Sequence, residues 1–256
     1  MSKRRKFVIT SILLCLGFIG IQLINDQNRF WAIGILSGLT FFLFLWALWE
    51  GLGKNMTLLT LVLPVIFTAG VGIFWFLLPA NIYTRIPIVI FYGIGIYVLC
   101  LTMNIFSVAA VRTIALLRAA RGVGFVLSLV TSFLVFDTVL SLKTAIYILV
   151  PLVLLVSFPL YFQGFWMVNL EKEFSSKIFL LSLVSALVTA EVALLLFFWP
   201  VSIVVGSLFL TVTFYVLLGL GQAEAEERLF PGIVREHLVV GAIVFIAMFL
   251  STHWGG

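Results

Sequence analysis

The chain has 256 residues, 63% of them hydrophobic and 10% charged, and a formal charge of +5. A soluble domain is about 45–50% apolar and roughly 25% charged, so this composition excludes one; lipid must solvate the apolar excess. The positive balance and a pI near 9.4 would suit nucleic acid. However, Lys3, Arg4, Arg5 and Lys6 cluster directly before an apolar run, and no basic stretch interleaved with aromatics follows. Nucleic acid is therefore excluded as a partner, and the bilayer is the expected one.

A membrane-crossing helix needs about 20 mainly apolar residues. Nine stretches qualify in chain order: 7–24, 30–49, 56–78, 86–104, 122–141, 144–163, 178–199, 201–220 and 234–252. The first follows a basic segment, as a secretory signal does. It runs longer than a usual signal core, though, and continues through Gln22, Asn25 and Asp26 without a small-residue cleavage pattern, so it reads as a retained helix. Pro64 in the third stretch and Pro151 and Pro159 in the sixth remove backbone donors and predict kinks. The expected architecture is all-α: a polytopic transmembrane helix bundle of about nine spans, forming a single integral membrane domain over 1–256.

Cations orient such a bundle. With the N-terminus inside, cytoplasmic segments hold Lys3, Arg4, Arg5, Lys6, Lys54, Arg112, Arg118, Arg121, Lys172, Lys177, Arg228 and Arg235, against Arg29, Arg85 and Lys143 outside. Trp31, Trp75, Trp199 and Trp254 fall at the outer interface and Trp49 and Trp166 at the inner one, as an aromatic belt would. The cytoplasmic connection 105–121 reads either as an interfacial helix or as the fourth and fifth helices prolonged past the headgroups. The connection 221–236, with Glu224, Glu226, Glu227, Arg228 and then Pro231-Gly232, reads as an eighth helix extended beyond the membrane and broken at Pro231. Arg112, Arg118, Arg121, Arg228 and Arg235 are thus expected to contact anionic lipid headgroups or a cytoplasmic partner of a membrane complex.

Charge within a span costs about 2.5–3.5 kcal/mol at the centre, which makes such residues functional candidates. Asp137 in the fifth stretch and Glu191 in the seventh are the two. Both helices run outward, and the acids differ in depth by about 6 Å at 1.5 Å per residue. Two readings are open. In one, Asp137 pairs with Arg85 or Lys143 at the outer end and Glu191 hydrogen-bonds a neighbouring helix while protonated. In the other, Glu191 and Asp137 line one cavity in the outer half of the bilayer with Thr189 nearby, and bind a proton, a cation or an amine. Ser182, Ala186 and Ala190 form a small-residue stripe suited to close packing. Gly34-x-x-x-Gly38 is a similar signal, which would also suit a homodimer.

Much chemistry is absent. The lysines lie at termini or connections, so no retinal Schiff base is available, and His237 and His253 sit at opposite ends of the last stretch and cannot share an ion. No phosphate-binding Gly-x-x-x-x-Gly-Lys-Ser/Thr loop and no His-Glu-x-x-His helix occurs. Gly70-x-Gly72 and Gly93-x-Gly95 lie inside apolar runs, not in strand–turn–helix context. Cys15 and Cys100 also fall in apolar stretches, which excludes a disulfide framework or thiolate metal site. No metal, cofactor or catalytic residue is expected.

The segment 104–141, NIFSVAAVRTIALLRAARGVGFVLSLVTSFLVFDTVLS, resembles an uncharacterised family of polytopic membrane proteins from genome-reduced bacteria. So do SFPLYFQGFW at 157–166 and FFWPVSIVVGSLFLTVTFYVLLGL at 197–220, and the similarity runs over most of the chain from about residue 80. The resemblance implies the bacterial inner membrane and carries no activity. The functional expectation is a carrier-like or ligand-binding protein with an acidic site. A non-catalytic assembly subunit is the alternative, and a lipid-processing enzyme using the acids has no motif behind it.

Overall fold

The computed structural model describes residues 2–22, 24, 28–52, 56–78, 82–110, 116–170 and 173–252. Asn25, Asp26, Lys54, Arg112, Lys172, His253 and Trp254, which entered the sequence argument, lie outside the described residues. Among those described, the elements are nine α-helices: α1 Lys3–Ile21, α2 Arg29–Leu48, α3 Val62–Leu77, α4 Ile82–Ala109, α5 Leu117–Ser141, α6 Ile146–Asn169, α7 Ser176–Phe197, α8 Ile203–Ala225 and α9 Pro231–Ser251. A 3-10 segment, Met56–Leu61, leads into α3, and no strand occurs among them. Helices are what an apolar chain must form in lipid, because each satisfies its own backbone donors and acceptors.

Eight of these helices are long and apolar enough to cross a membrane, α3 together with the 3-10 segment before it as Thr57–Leu77, the build of a multi-pass membrane protein. The ninth, α1, differs from expectation for a simple reason. Its first turn carries Lys3, Arg4, Arg5 and Lys6, leaving 7–21 as its apolar part, shorter than the roughly 20 residues a span requires.

Several connections also differ from the sequence reading. At the connection between α4 and α5, α4 continues to Ala109 and α5 starts at Leu117, so both helices run beyond the stretches expected for them. α8 ends at Ala225, and Pro231 does not break it. Pro231 opens α9 instead, at the first helical position, where a missing N–H leaves no carbonyl unpaired. Pro64 likewise falls in the first turn of α3 rather than mid-helix, preceded by the 3-10 segment in which the Thr60 hydroxyl donates to the Thr57 carbonyl at 2.6 Å. Pro151 and Pro159 are interior to α6, as expected, and Pro87 is interior to α4.

The chain forms two compact units, residues 1–127 with 170–174, and 128–169 with 175–256. In the first, α1 to α4 pack around Phe18, Phe67 and Tyr92, with Tyr92 against Phe18 at 4.7 Å between centroids and stacked with Phe67 at 6.0 Å. Thr40 Oγ1 stands 2.9 Å from the Leu36 carbonyl and 3.1 Å from Thr68 Oγ1, which is 3.2 Å from the Tyr92 hydroxyl. These buried hydroxyls are mutually satisfied, as an apolar interior demands.

At the start of α1, Lys6 Nζ donates to Glu50 Oε1 at 3.0 Å and Lys3 Nζ lies 3.5 Å from Oε2. The Lys6 hydrogen bond and charge hold the Glu50 carboxyl below its ordinary range. A carboxylate lowered on folding stabilises above its unfolded value, and that contribution is lost as pH falls through the folded one. Amide exchange in the first turn of α1 is therefore expected to be slower in the wild type than in Glu50→Gln at neutral pH. The difference should vanish below the carboxylate range, and it should be small because the pair is exposed.

The second unit is tied by close helix contact. A Cβ on Gly164 of α6 would stand 2.5 Å from Leu218 Cδ1 of α8, and one on Gly221 of α8 would overlap the Phe165 ring of α6. The Gln222 amide donates to the Gly164 carbonyl at 2.9 Å across the same contact.

Candidate functional site

Buried polar residues of the second unit lie on each of α5 to α8. On α5, Ser128, Thr131, Ser132, Asp137 and Thr138 are all buried, and Phe136 meets Phe214 of α8 edge-on at 6.4 Å. Asp137 is only 6% exposed. Its Oδ1 lies 3.1 Å from Ser207 Oγ on α8, and that hydroxyl also stands 2.9 Å from the Val204 carbonyl. This geometry serves both protonation states. With the carboxylate ionised, Ser207 donates to it; with the acid protonated, the carboxyl O–H donates to Ser207 Oγ, whose own proton turns to Val204.

A cavity of about 250 Å³ lies just beyond this pair, where α5 ends, α6 begins, α7 ends and α8 begins. Its lining includes Leu140, one turn on from Asp137, and Gly206, the neighbour of Ser207. Lys143, Thr144, Trp199 and Ser202 supply its polar groups, and Leu149, Leu196 and Phe197 its apolar wall. The Thr144 hydroxyl is buried without a hydrogen-bond partner. Lys143 holds a left-handed backbone conformation, φ 46°, which a non-glycine residue adopts at a local cost. Trp199 Nε1 donates to Thr252 Oγ1 at 2.9 Å.

The other acid is elsewhere. Glu191 is exposed, while Thr189, two residues earlier on α7, is fully buried. Two residues turn a helix through about 200°, so these side chains leave α7 on opposite faces and cannot share a site. The small residues Ser182, Ser185, Ala186, Ala190 and Ala193 line the buried face, which lets α7 lie close to α6. Thr189 is part of that packing: the Tyr161 hydroxyl of α6 is 2.8 Å from Thr189 Oγ1, which donates to the Ser185 carbonyl at 2.9 Å. A double-variant cycle of Tyr161→Phe and Thr189→Val, followed by unfolding in bicelles, is expected to return a coupling of about 0.6–1.7 kcal/mol.

The remaining candidates are dispersed. Arg85 belongs to the first unit, its guanidinium 5.5 Å from the Trp75 ring centroid. Arg118, Arg228 and Arg235 are exposed. Arg228 lies 3.7 Å from Glu226, and Arg235 borders an apolar groove at the start of α9 with Leu229, Val234 and Leu238. Arg121 lies in the first turns of α5 and is half-buried, whereas Arg112 lies outside the described residues. Trp31 and Trp49 are strongly exposed, but Trp75 and Trp166 are buried in their units. No group of three or more His, Cys, Asp or Glu residues that could hold a metal ion occurs among the described residues.

Sequence reasoning named Asp137 but not Ser207, Lys143's conformation or Thr144. Ser207 is one hydroxyl among many in apolar helices, and only its contact with Asp137 distinguishes it. No curated protein and no solved structure matches the chain. Residues 49–251 match a family described as Protein of unknown function (DUF5656), a span that includes α3 to α9 and with them Asp137, Ser207 and the cavity above them. The chain belongs to that family.

Proposed function

We propose that the protein is a carrier-like or ligand-binding protein of the bacterial inner membrane, N-terminus cytoplasmic, with a polar site at the outer end of its second unit. The observation that carries this reading is the buried Asp137–Ser207 pair beneath a cavity that has its own unpaired hydroxyl. A carboxyl inside an apolar helix is expensive, and a proton or cation reaching it from the cavity would offset that cost. Among the described residues no cation pairs with Asp137, and Lys143, in the following turn, is exposed. Ser207 can follow a change in its protonation by turning its own proton. The dispersed arginines fit contact with anionic headgroups, and the Arg235 groove suits one such lipid.

The test is an infrared pH titration of the reconstituted protein against Asp137→Asn, with and without sodium. A protonated-carboxyl band that is lost in the variant and moves with pH or sodium supports the site. A band that ignores both makes Asp137 a packing residue.

A further inference from the structure

The cavity beyond Asp137 and Ser207 carries a sign of its own. Lys143 lines it and is exposed, which places a cation at the mouth, and among the described residues no ion pair holds that ammonium. The neighbouring Thr144 hydroxyl is buried and unpartnered, so it has a proton to donate. Helix ends do not decide the sign: the starts of α6 and α8 and the ends of α5 and α7 meet here, and their opposed partial charges offset one another. Leu149, Leu196 and Ile203 make the rest of the wall apolar, and at about 250 Å³ the space is smaller than the roughly 300–1,000 Å³ of drug-sized sites. A cation, an unused donor and an apolar wall suit a small anion with an apolar body and disfavour a metal cation or an amine. Around Asp137 the packed helices bring no other charge to this end among the described residues. The Tyr161 hydroxyl of α6 meets Thr189, Tyr147 is exposed, and Glu191 of α7 is turned outward. Arg118 and Arg121 of α5, Lys177 of α7, Glu224 of α8 with Tyr215, and Arg235, Glu236 and His237 of α9 lie toward the opposite ends of their helices.

We propose that the cavity takes a small carboxylate with an apolar body, bound together with one proton on Asp137. This rests on the reading of Asp137 and Ser207 as a titrating site and narrows it, from a proton or cation to a proton carried with an anion. The reason is charge balance. With Asp137 ionised, Lys143 and one carboxylate already cancel, and a second anion would bring uncompensated charge into a low-dielectric space. With Asp137 protonated, Lys143 lacks a counter-charge and one bound carboxylate restores neutrality. Anion and proton therefore enter as the equivalent of one neutral acid. The carboxylate accepts from Lys143 Nζ and Thr144 Oγ1, while the proton sits on Asp137, which donates to Ser207 Oγ as Ser207 donates to the Val204 carbonyl.

The test uses the full chain in phosphatidylcholine nanodiscs, with hexanoate carbon-13-labelled at its carboxyl as the probe, above the ordinary carboxylate range so that the probe is ionised. Saturable binding is expected in the wild type. It should weaken by about tenfold or more as pH rises and Asp137 loses its proton, and adding hexanoate should strengthen the protonated-carboxyl infrared band of the protein. Hexylammonium should not compete. Thr144→Val should unfold like the wild type, because its hydroxyl has no partner to lose, yet bind hexanoate about two- to tenfold more weakly. Lys143→Gln should weaken binding up to about fivefold, and Asp137→Asn should bind without the pH dependence. Failure to bind saturably, wild-type binding indifferent to pH, or competition by hexylammonium would each overturn the proposal. So would loss of hexanoate binding when phosphatidylglycerol is added, which would make the occupant a lipid headgroup. The infrared band separates this inference from the reading beneath it. A band that moves with pH or sodium but not with hexanoate leaves the Asp137 site standing without a carboxylate, and a band that ignores all three removes both.

Discussion

Replacing Ser207 by alanine is expected to destabilise the second unit by about 1–3 kcal/mol, the usual cost of leaving a buried polar group without its partner. Asp137 is 6% exposed and has Ser207 as its hydrogen-bond partner among the described residues, so the loss falls directly on the carboxyl. Asp137→Leu should cost less, because Ser207 keeps the Val204 carbonyl at 2.9 Å. The double variant Asp137→Leu/Ser207→Ala should then recover most of the stability lost in Ser207→Ala, since removing both partners of a buried pair is close to neutral. The sodium- or pH-dependent carboxyl band should nonetheless be absent from it. Detergent-titration unfolding and infrared spectra of the same preparations check both statements. Simple additivity of the two single costs would show that the residues are not coupled.

Gly221→Val is expected to destabilise the same unit by about 1–3 kcal/mol or more, the range for forcing extra atoms into a packed core. The reason is geometric and does not depend on the surrounding solvent. A Cβ at 221 would overlap the Phe165 ring, and that ring is fully buried and stacked on Tyr161 at 5.8 Å, so it has no free direction in which to swing. Either α8 moves away from α6, breaking the Gln222–Gly164 hydrogen bond, or Phe165 leaves its place beside Tyr161. Gly232→Ala, where a Cβ would meet nothing within 4 Å, is the control and should unfold like the wild type. Unfolding midpoints in mixed micelles separate the two outcomes.

Much of the architecture was legible in the residues. Apolar runs of about 20 residues identify spans because the hydrocarbon layer sets their length, and eight of the nine expected stretches became helices long and apolar enough to cross. The exception, α1, has too short an apolar part for the reason its own sequence displays, four cations in its opening turn. Proline chemistry was legible only in part. The missing donor is a property of the residue, but whether it kinks a helix or begins one depends on its place in that helix, and Pro64 and Pro231 both lie in opening turns.

The acids divide along the same line. Composition alone marked Asp137 and Glu191, because a carboxyl in an apolar helix is costly wherever it points. Depth along the normal followed from counting residues, and it suggested one shared cavity. Facing did not follow, because in α7 large and small apolar residues surround Glu191 and hydropathy does not distinguish a face turned to lipid from one turned to protein. What tells them apart is size, with Ser182, Ala186 and Ala190 against α6 and Leu180, Leu187 and Leu194 outside. Thus the residues alone were enough to mark a helical membrane protein with two acids inside apolar helices. Tertiary packing decided that Asp137 is enclosed with Ser207 and that Glu191 is left outside, because helix rotation is fixed by which side chains let two backbones approach.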